Sequence, residues 1–179
     1  FVKNRKTKVH SWFMDINLLL GYWGSAARTY HHTAPTNALY ALHESLIMLY
    51  EEGLEQSWAR HQRNHEAFKA GLETMGIRYV VDEKYRLPQL NSVYIPDGID
   101  DKTVRARLLD EYSLEIGAGL GDFAGKVWRF GLMGTSSKVE NVVTCLNALE
   151  KVLSDMGMKL SRGAAESAAH QCYANHPMP

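Results

Sequence analysis

The hydrophobic period of this 179-residue chain changes once, near Gly76, and that change limits the folds open to it. Before it, Ala38, Leu39, Leu42, Leu46 and Leu49 recur at three- and four-residue steps after Pro35, which predicts a helix stopped by Gly53. Leu54, Trp58, His61, His65, Phe68, Leu72 and Met75 carry the same period along a second, longer helix ending at Gly76. After it, short strands and helices alternate. Arg78 to Val81 and Ser92 to Ile95 read as strands, the second closed by the turn Pro96-Asp97-Gly98. Asp100 or Asp101 can cap a helix presenting Val104, Leu108, Leu109 and Tyr112. Leu114 to Ile116 and Val127 to Met133 are the next strands, with the permissive glycines Gly117, Gly119 and Gly121 between them. Ser137-Lys138-Val139-Glu140 has the spacing of a capping box, and Val139, Val142, Val143, Leu146, Leu149, Val152 and Leu153 stripe the helix it starts. The order predicts an α/β chain with a compact α+β unit over residues 77–156, preceded by helices that belong partly to something else. Further upstream, residues 12–20 form a short apolar segment ending at Gly21, a polar turn begins at Gly24, and a loop carries Tyr30-His31-His32-Thr33. Residues 157–179 lack a periodic apolar face and are expected to be a loose tail.

Twenty Lys and Arg balance twenty Asp and Glu, so no field of one sign awaits nucleic acid or an anionic membrane. Neither partner is expected. Hydrophobic residues make up 45% of the chain and charged residues 22%, the composition of a chain that folds. No apolar run approaches the roughly 20 residues of a membrane span. Cys145 and Cys172 are too few and too far apart for a disulfide scaffold, so a reducing compartment and a cytoplasmic protein are expected. The opening on Phe1, with Lys3, Arg5, Lys6 and Lys8 among ten residues free of acids, reads as entry in mid-protein and as a fragment.

Arg129 carries the clearest chemistry. On an alternating strand it shares a side with Val127, Gly131 and Met133, while Trp128, Phe130 and Leu132 face the other way. A guanidinium among apolar neighbours needs an anion, and its planar fork holds a carboxylate by two parallel hydrogen bonds. That anion is either a substrate carboxylate or an internal Asp or Glu in a structural ion pair. Tyr30, His31, His32 and Thr33 set hydroxyls and imidazoles directly before a helix, which suits a phosphate group or, more simply, an N-cap and an aromatic packing residue. Asp15 could pair with a cation or end a strand. His61 and His65 have the four-residue spacing of a zinc site, but no Glu stands between them, and both fall on an apolar stripe. They are expected in a core or interface. His170, Cys172 and His176 lack a fourth ligand, and the three glycines lack the strand and helix of a dinucleotide loop. No metal is expected.

Several motifs occur in order: Arg5-Lys6-Thr7, Trp12-Phe13-Met14-Asp15, Tyr22-Trp23-Gly24, Tyr30-His31-His32-Thr33, Arg86-Leu87-Pro88, Glu115-Ile116 with Gly119-Leu120-Gly121, and Val127-Trp128-Arg129-Phe130-Gly131-Leu132-Met133-Gly134. Together they resemble the C-terminal half of alanine–glyoxylate (serine–pyruvate) aminotransferases, class V members of the fold type I pyridoxal-phosphate enzymes. The resemblance covers about residues 3–156. It implies the C-terminal portion of that transferase fold, with residues 1–53 ending the large domain, 54–76 a linking helix and 77–156 the small α/β domain. It also implies pyridoxal 5'-phosphate as cofactor and amino-group transfer from alanine or serine to glyoxylate or pyruvate, in glyoxylate metabolism, by a homodimer. Arg129 matches the family's substrate-carboxylate arginine. Tyr30 and Thr33 match residues that reach the cofactor phosphate of the neighbouring subunit. The Schiff-base lysine has no counterpart here, because Lys3, Lys6 and Lys8 resemble the basic stretch that follows it. The chain alone is therefore expected to be inactive, and no catalytic residue is assigned. The alternative is a non-catalytic product that pairs with full-length subunits. Peroxisomal or mitochondrial placement is the alternative in a eukaryote.

Overall fold

The computed structural model of the chain describes residues 2–23, 27 and 29–176. The turn expected from Gly24 lies largely outside them, as does the Pro-Met-Pro end. The chain divides into two compact units, one up to Glu51 and one from Glu52 onward.

In the first unit the helix α1 (Ile16–Trp23) begins where the Asp15 carboxylate accepts the Asn17 backbone N–H at 3.0 Å. Asp15 is thus a helix cap rather than a strand end, with no ion-pair partner among the described residues, and the apolar segment runs through Gly21 to Trp23. The helix α2 (Thr36–Glu52) follows the Tyr30–Thr33 loop. Neither helix buries a residue, and Leu39, Leu42 and Leu46 are each half exposed.

The second unit holds the core. Gly53, at φ 90°, breaks the chain between α2 and α3 (Leu54–Thr74), a conformation that favours glycine. Three antiparallel strands follow: β1 (Leu90–Tyr94), β2 (Gly117–Ala118) and β3 (Val127–Gly131), in the order β1-β3-β2. The central strand β3 sets Arg129 opposite Ser92 on one side and Gly117 on the other. Helix α4 (Asp101–Tyr112) is capped by Asp100, which accepts the Thr103 N–H at 2.8 Å. Helices α5 (Val139–Asp155) and α6 (Ala164–Asn175) complete the unit. Trp128 and Phe130 point from one face of the sheet into a core shared with Phe68 and Leu72 of α3 and Leu146 and Leu149 of α5. Phe68 meets Phe130 with ring centroids 5.1 Å apart. Each such side chain contributes roughly 1.5–3 kcal/mol by leaving water.

Four expectations are corrected. Ala164–Asn175, within the stretch expected to be a loose tail, forms α6, which packs on α3 and α5 through Ala165, Ala169 and Tyr173. Its alanines make a face too small to register as an apolar stripe, yet they allow close helix approach. Ser137 does not form a capping box: α5 starts after Lys138 without a side-chain cap, and the buried Ser137 hydroxyl accepts from Asn64 Nδ2 at 3.0 Å. Arg78 to Val81 makes only the bridge Tyr79↔Val93, and the strand expected at Leu114–Ile116 forms at Gly117–Ala118, where β3 offers its free edge.

Candidate functional site

Arg129 lies on the face of the sheet opposite the Trp128–Phe130 core, half buried among Ser92, Gly117 and the neighbouring strands. Its Nε donates to the Ala118 carbonyl at 2.8 Å. No Asp or Glu among the described residues forms an ion pair with it, and its two terminal nitrogens make no hydrogen bond to a described residue. The internal ion pair, one of the two readings of this arginine, is therefore absent. With Nε committed to Ala118, the guanidinium offers an anion the end-on pair Nη1 and Nη2, a geometry that matches a carboxylate. Gly117 leaves room for this posture: a Cβ there would stand 3.4 Å from both Nε and Nη2. At Gly119, a Cβ would fall 2.0 Å from the Phe123 carbonyl oxygen, so the loop that closes the β2 edge can be this tight only with glycine.

The loop that follows β3 is held by one face of α3. Arg60 Nη1 donates to the carbonyls of Gly134 and Ser137 at 2.9 and 2.8 Å, and its other nitrogens grip Glu52 in a two-point ion pair. The Gly134 N–H donates to His61 Nε2 at 3.0 Å, which makes His61 the Nδ1–H tautomer that donates to the Ser57 carbonyl at 2.7 Å. Asn64 donates to Ser137 and accepts from the Tyr173 phenol at 2.8 Å. His65 Nδ1 contacts Asn91 Oδ1 at 2.6 Å, and the Tyr79 phenol donates to the same oxygen at 2.8 Å. His61 and His65 are thus satisfied core residues, in line with the sequence reading. Among the described residues no cluster could hold a metal ion. The Cys172 and His176 side chains meet each other, Arg63 donates to the His176 carbonyl, and burial pushes the Cys172 thiol up, away from reactivity.

In the first unit the hydroxyls of Tyr30 and Thr33 stand 2.5 Å apart, both exposed, just before the N-terminus of α2. One hydroxyl donates to the other, which leaves the second hydroxyl proton free to donate, close to the first turn of α2, and that donor set fits a phosphate. Between them, the ring nitrogens His31 Nδ1 and His32 Nδ1 are 2.7 Å apart, and His31 Nε2 donates to the Trp12 carbonyl at 3.1 Å. Trp12 stacks on His31 at 4.0 Å and Phe13 leans on His32 at 4.7 Å. Sequence spacing does not reveal this histidine pair, since adjacent residues in a loop carry no periodicity. Arg60, Asn64 and Tyr173 are functional neighbours that the sequence reading does not single out. Arg60 and Asn64 leave only the trace of polar residues beside the apolar stripe of α3, and Tyr173 of α6 leaves none.

No protein-family model matches the chain. It is 40% identical over 163 residues to the (S)-ureidoglycine–glyoxylate transaminase of Bacillus subtilis and 39% identical over 155 residues to the alanine–glyoxylate aminotransferase of Callithrix jacchus. Those matches take in 91% and 85% of this chain but 39% and 37% of the relatives, so the chain spans about two-fifths of their length. Among solved structures, the ureidoglycine–glyoxylate aminotransferase of Bacillus subtilis superposes with a TM-score of 0.89 at 39% identity, over 97% of this chain and 44% of that one. The alanine–glyoxylate aminotransferase of Nostoc sp. gives a TM-score of 0.79 at 52% identity, over 84% of this chain and 40% of that one.

Proposed function

We propose, from a chain similar in sequence and fold to the C-terminal portion of the alanine–glyoxylate-type aminotransferases, that it supplies substrate and cofactor contacts for a pyridoxal-phosphate-dependent transamination. The observation that carries the proposal is the end-on fork of Arg129, which has no hydrogen-bond partner or ion pair among the described residues and lies on the face of the sheet away from the Trp128–Phe130 core. Arg129 takes the carboxylate of alanine or serine and then that of glyoxylate or pyruvate, and so fixes the reacting α-carbon. The cofactor, when bound, draws electrons from the bonds at that carbon. Tyr30 and Thr33 contact its phosphate, in a homodimer where each loop serves the neighbouring subunit. The lysine that moves the α-proton lies outside these 179 residues. In this arrangement residues 1–53 end the large domain and residues 77–156 form the small one.

The test is an absorbance scan of the purified chain with pyridoxal phosphate, before and after borohydride reduction, with an assay for amino transfer from alanine to glyoxylate. The chain alone is expected to label no single lysine and to show no turnover, while the longer protein containing it turns over. Specific labelling of one lysine here, with turnover, overturns the placement of the base. A second reading, pairing with full-length subunits without catalysis, is favoured by the half-exposed Leu39, Leu42 and Leu46 on α2. It predicts mixed dimers that lack activity in one site.

A further inference from the structure

The His31–His32 pair is a device that the phosphate reading leaves unexplained. His31 is 6% exposed, and both of its ring nitrogens are engaged. A backbone carbonyl can only accept, so the Trp12 carbonyl requires a proton on His31 Nε2. In a neutral pair His31 Nδ1 then accepts, which forces His32 to carry its proton on Nδ1 and leaves His32 Nε2 as a bare acceptor. Adding one proton changes this in the same way wherever the charge resides. If His31 is the cation, it donates from Nδ1 and His32 must hold its own proton on Nε2. If His32 is the cation, both of its nitrogens carry protons. In either case Nε2 of His32 becomes a donor.

We propose that this pair is the ionisable part of the Tyr30–Thr33 loop, taking one proton from solvent as a phosphate group docks and returning it on release. The inference rests on the reading of Tyr30 and Thr33 as phosphate contacts. Those two hydroxyls are neutral, and an imidazolium in the same four-residue loop adds the positive charge that a phosphate dianion favours. The rings in contact with the pair are Trp12 and Phe13, neither ionisable, and Trp12 presents its face to His31 as a cation would require. Tyr22 reaches the loop only through an edge contact with Tyr30. No Asp or Glu among the described residues forms an ion pair with either imidazole, so the compensating anion is the ligand itself.

The experiment is a long-range proton–nitrogen NMR titration of the full chain labelled at histidine, alone and with inorganic phosphate, with sulfate as an anion that does not titrate in this range. Without anion at high pH, His32 should appear as the Nδ1–H tautomer and His31 as the Nε2–H tautomer. Phosphate or sulfate at saturation should raise the pH midpoint for protonation of His32 Nε2 by about one unit, equivalent to about tenfold tighter binding to the protonated pair. The shift should vanish in the double variant Tyr30→Phe, Thr33→Val. Amide shifts at residues 30–33 with an unmoved His32 midpoint would overturn the proton uptake and leave the phosphate reading standing. No response at either place would overturn both.

Discussion

The phenol of Tyr173 donates to the side-chain carbonyl of Asn64 at 2.8 Å, joining the last helix of the chain to the face of α3 that grips the loop after β3. Both residues are buried, so each polar atom needs the other. Tyr173→Phe leaves the Asn64 oxygen without its donor and should cost about 1–3 kcal/mol, read as a lower urea midpoint at unchanged slope. An unchanged midpoint would mean that α6 is docked by its alanines alone.

Stability should fall off on both sides of neutrality. The Arg105 guanidinium, helped by the Trp128 indole N–H at 3.0 Å, holds the Asp101 carboxyl below its usual range. A depressed carboxyl stabilises the fold above its unfolded pKa, and that contribution is lost as pH falls through the folded value. At the alkaline end, burial pushes the Tyr79 and Tyr173 phenols above the ordinary value of 10.0. Their contribution is complete below that value and disappears as pH rises past it. Asp101→Asn should flatten the acid limb and leave the alkaline one, measured as unfolding free energy against pH. Parallel limbs in both proteins would refute the assignment.

Two glycines, Gly119 after β2 and Gly131 at the end of β3, should respond unequally to alanine. At Gly119 the new methyl meets a backbone carbonyl at 2.0 Å, so the Gly121–Phe123 turn must move, at a cost of about 1–3 kcal/mol. At Gly131 its nearest neighbour is the end of the flexible Met133 side chain at 3.7 Å, and Gly131→Ala should stay within about 0.5 kcal/mol. Thermal melts of the two variants decide this. Equal losses would show that the loop yields where the geometry says it cannot.

The order of helices and strands was legible because Phe68, Leu72, Trp128, Phe130, Leu146 and Leu149 follow helical or strand periods and end in one core. Arg129 stood out for the same reason, as a charge interrupting an apolar strand. What escaped was decided at long range. Ser137 had a competent capping pattern, but Asn64, 73 residues away, claims its hydroxyl. Helix α6 presents alanine rather than leucine to α3, so its burial has no signature in the sequence. The His31–His32 bond depends on the Trp12 carbonyl, which is 19 residues upstream and anonymous in any residue pattern.

The most direct test of the account is whether Arg129 binds a carboxylate through its free end. Pyruvate titrated into the chain labelled at arginine should shift the Nη signals of Arg129 saturably and leave its Nε bond to Ala118 intact. Arg129→Lys, which keeps the charge but loses the fork, should weaken that binding about tenfold or more. Pyruvate binding with the Arg129 signals unmoved, or equally tight binding by the lysine variant, would contradict the assignment of this residue as the carboxylate clamp.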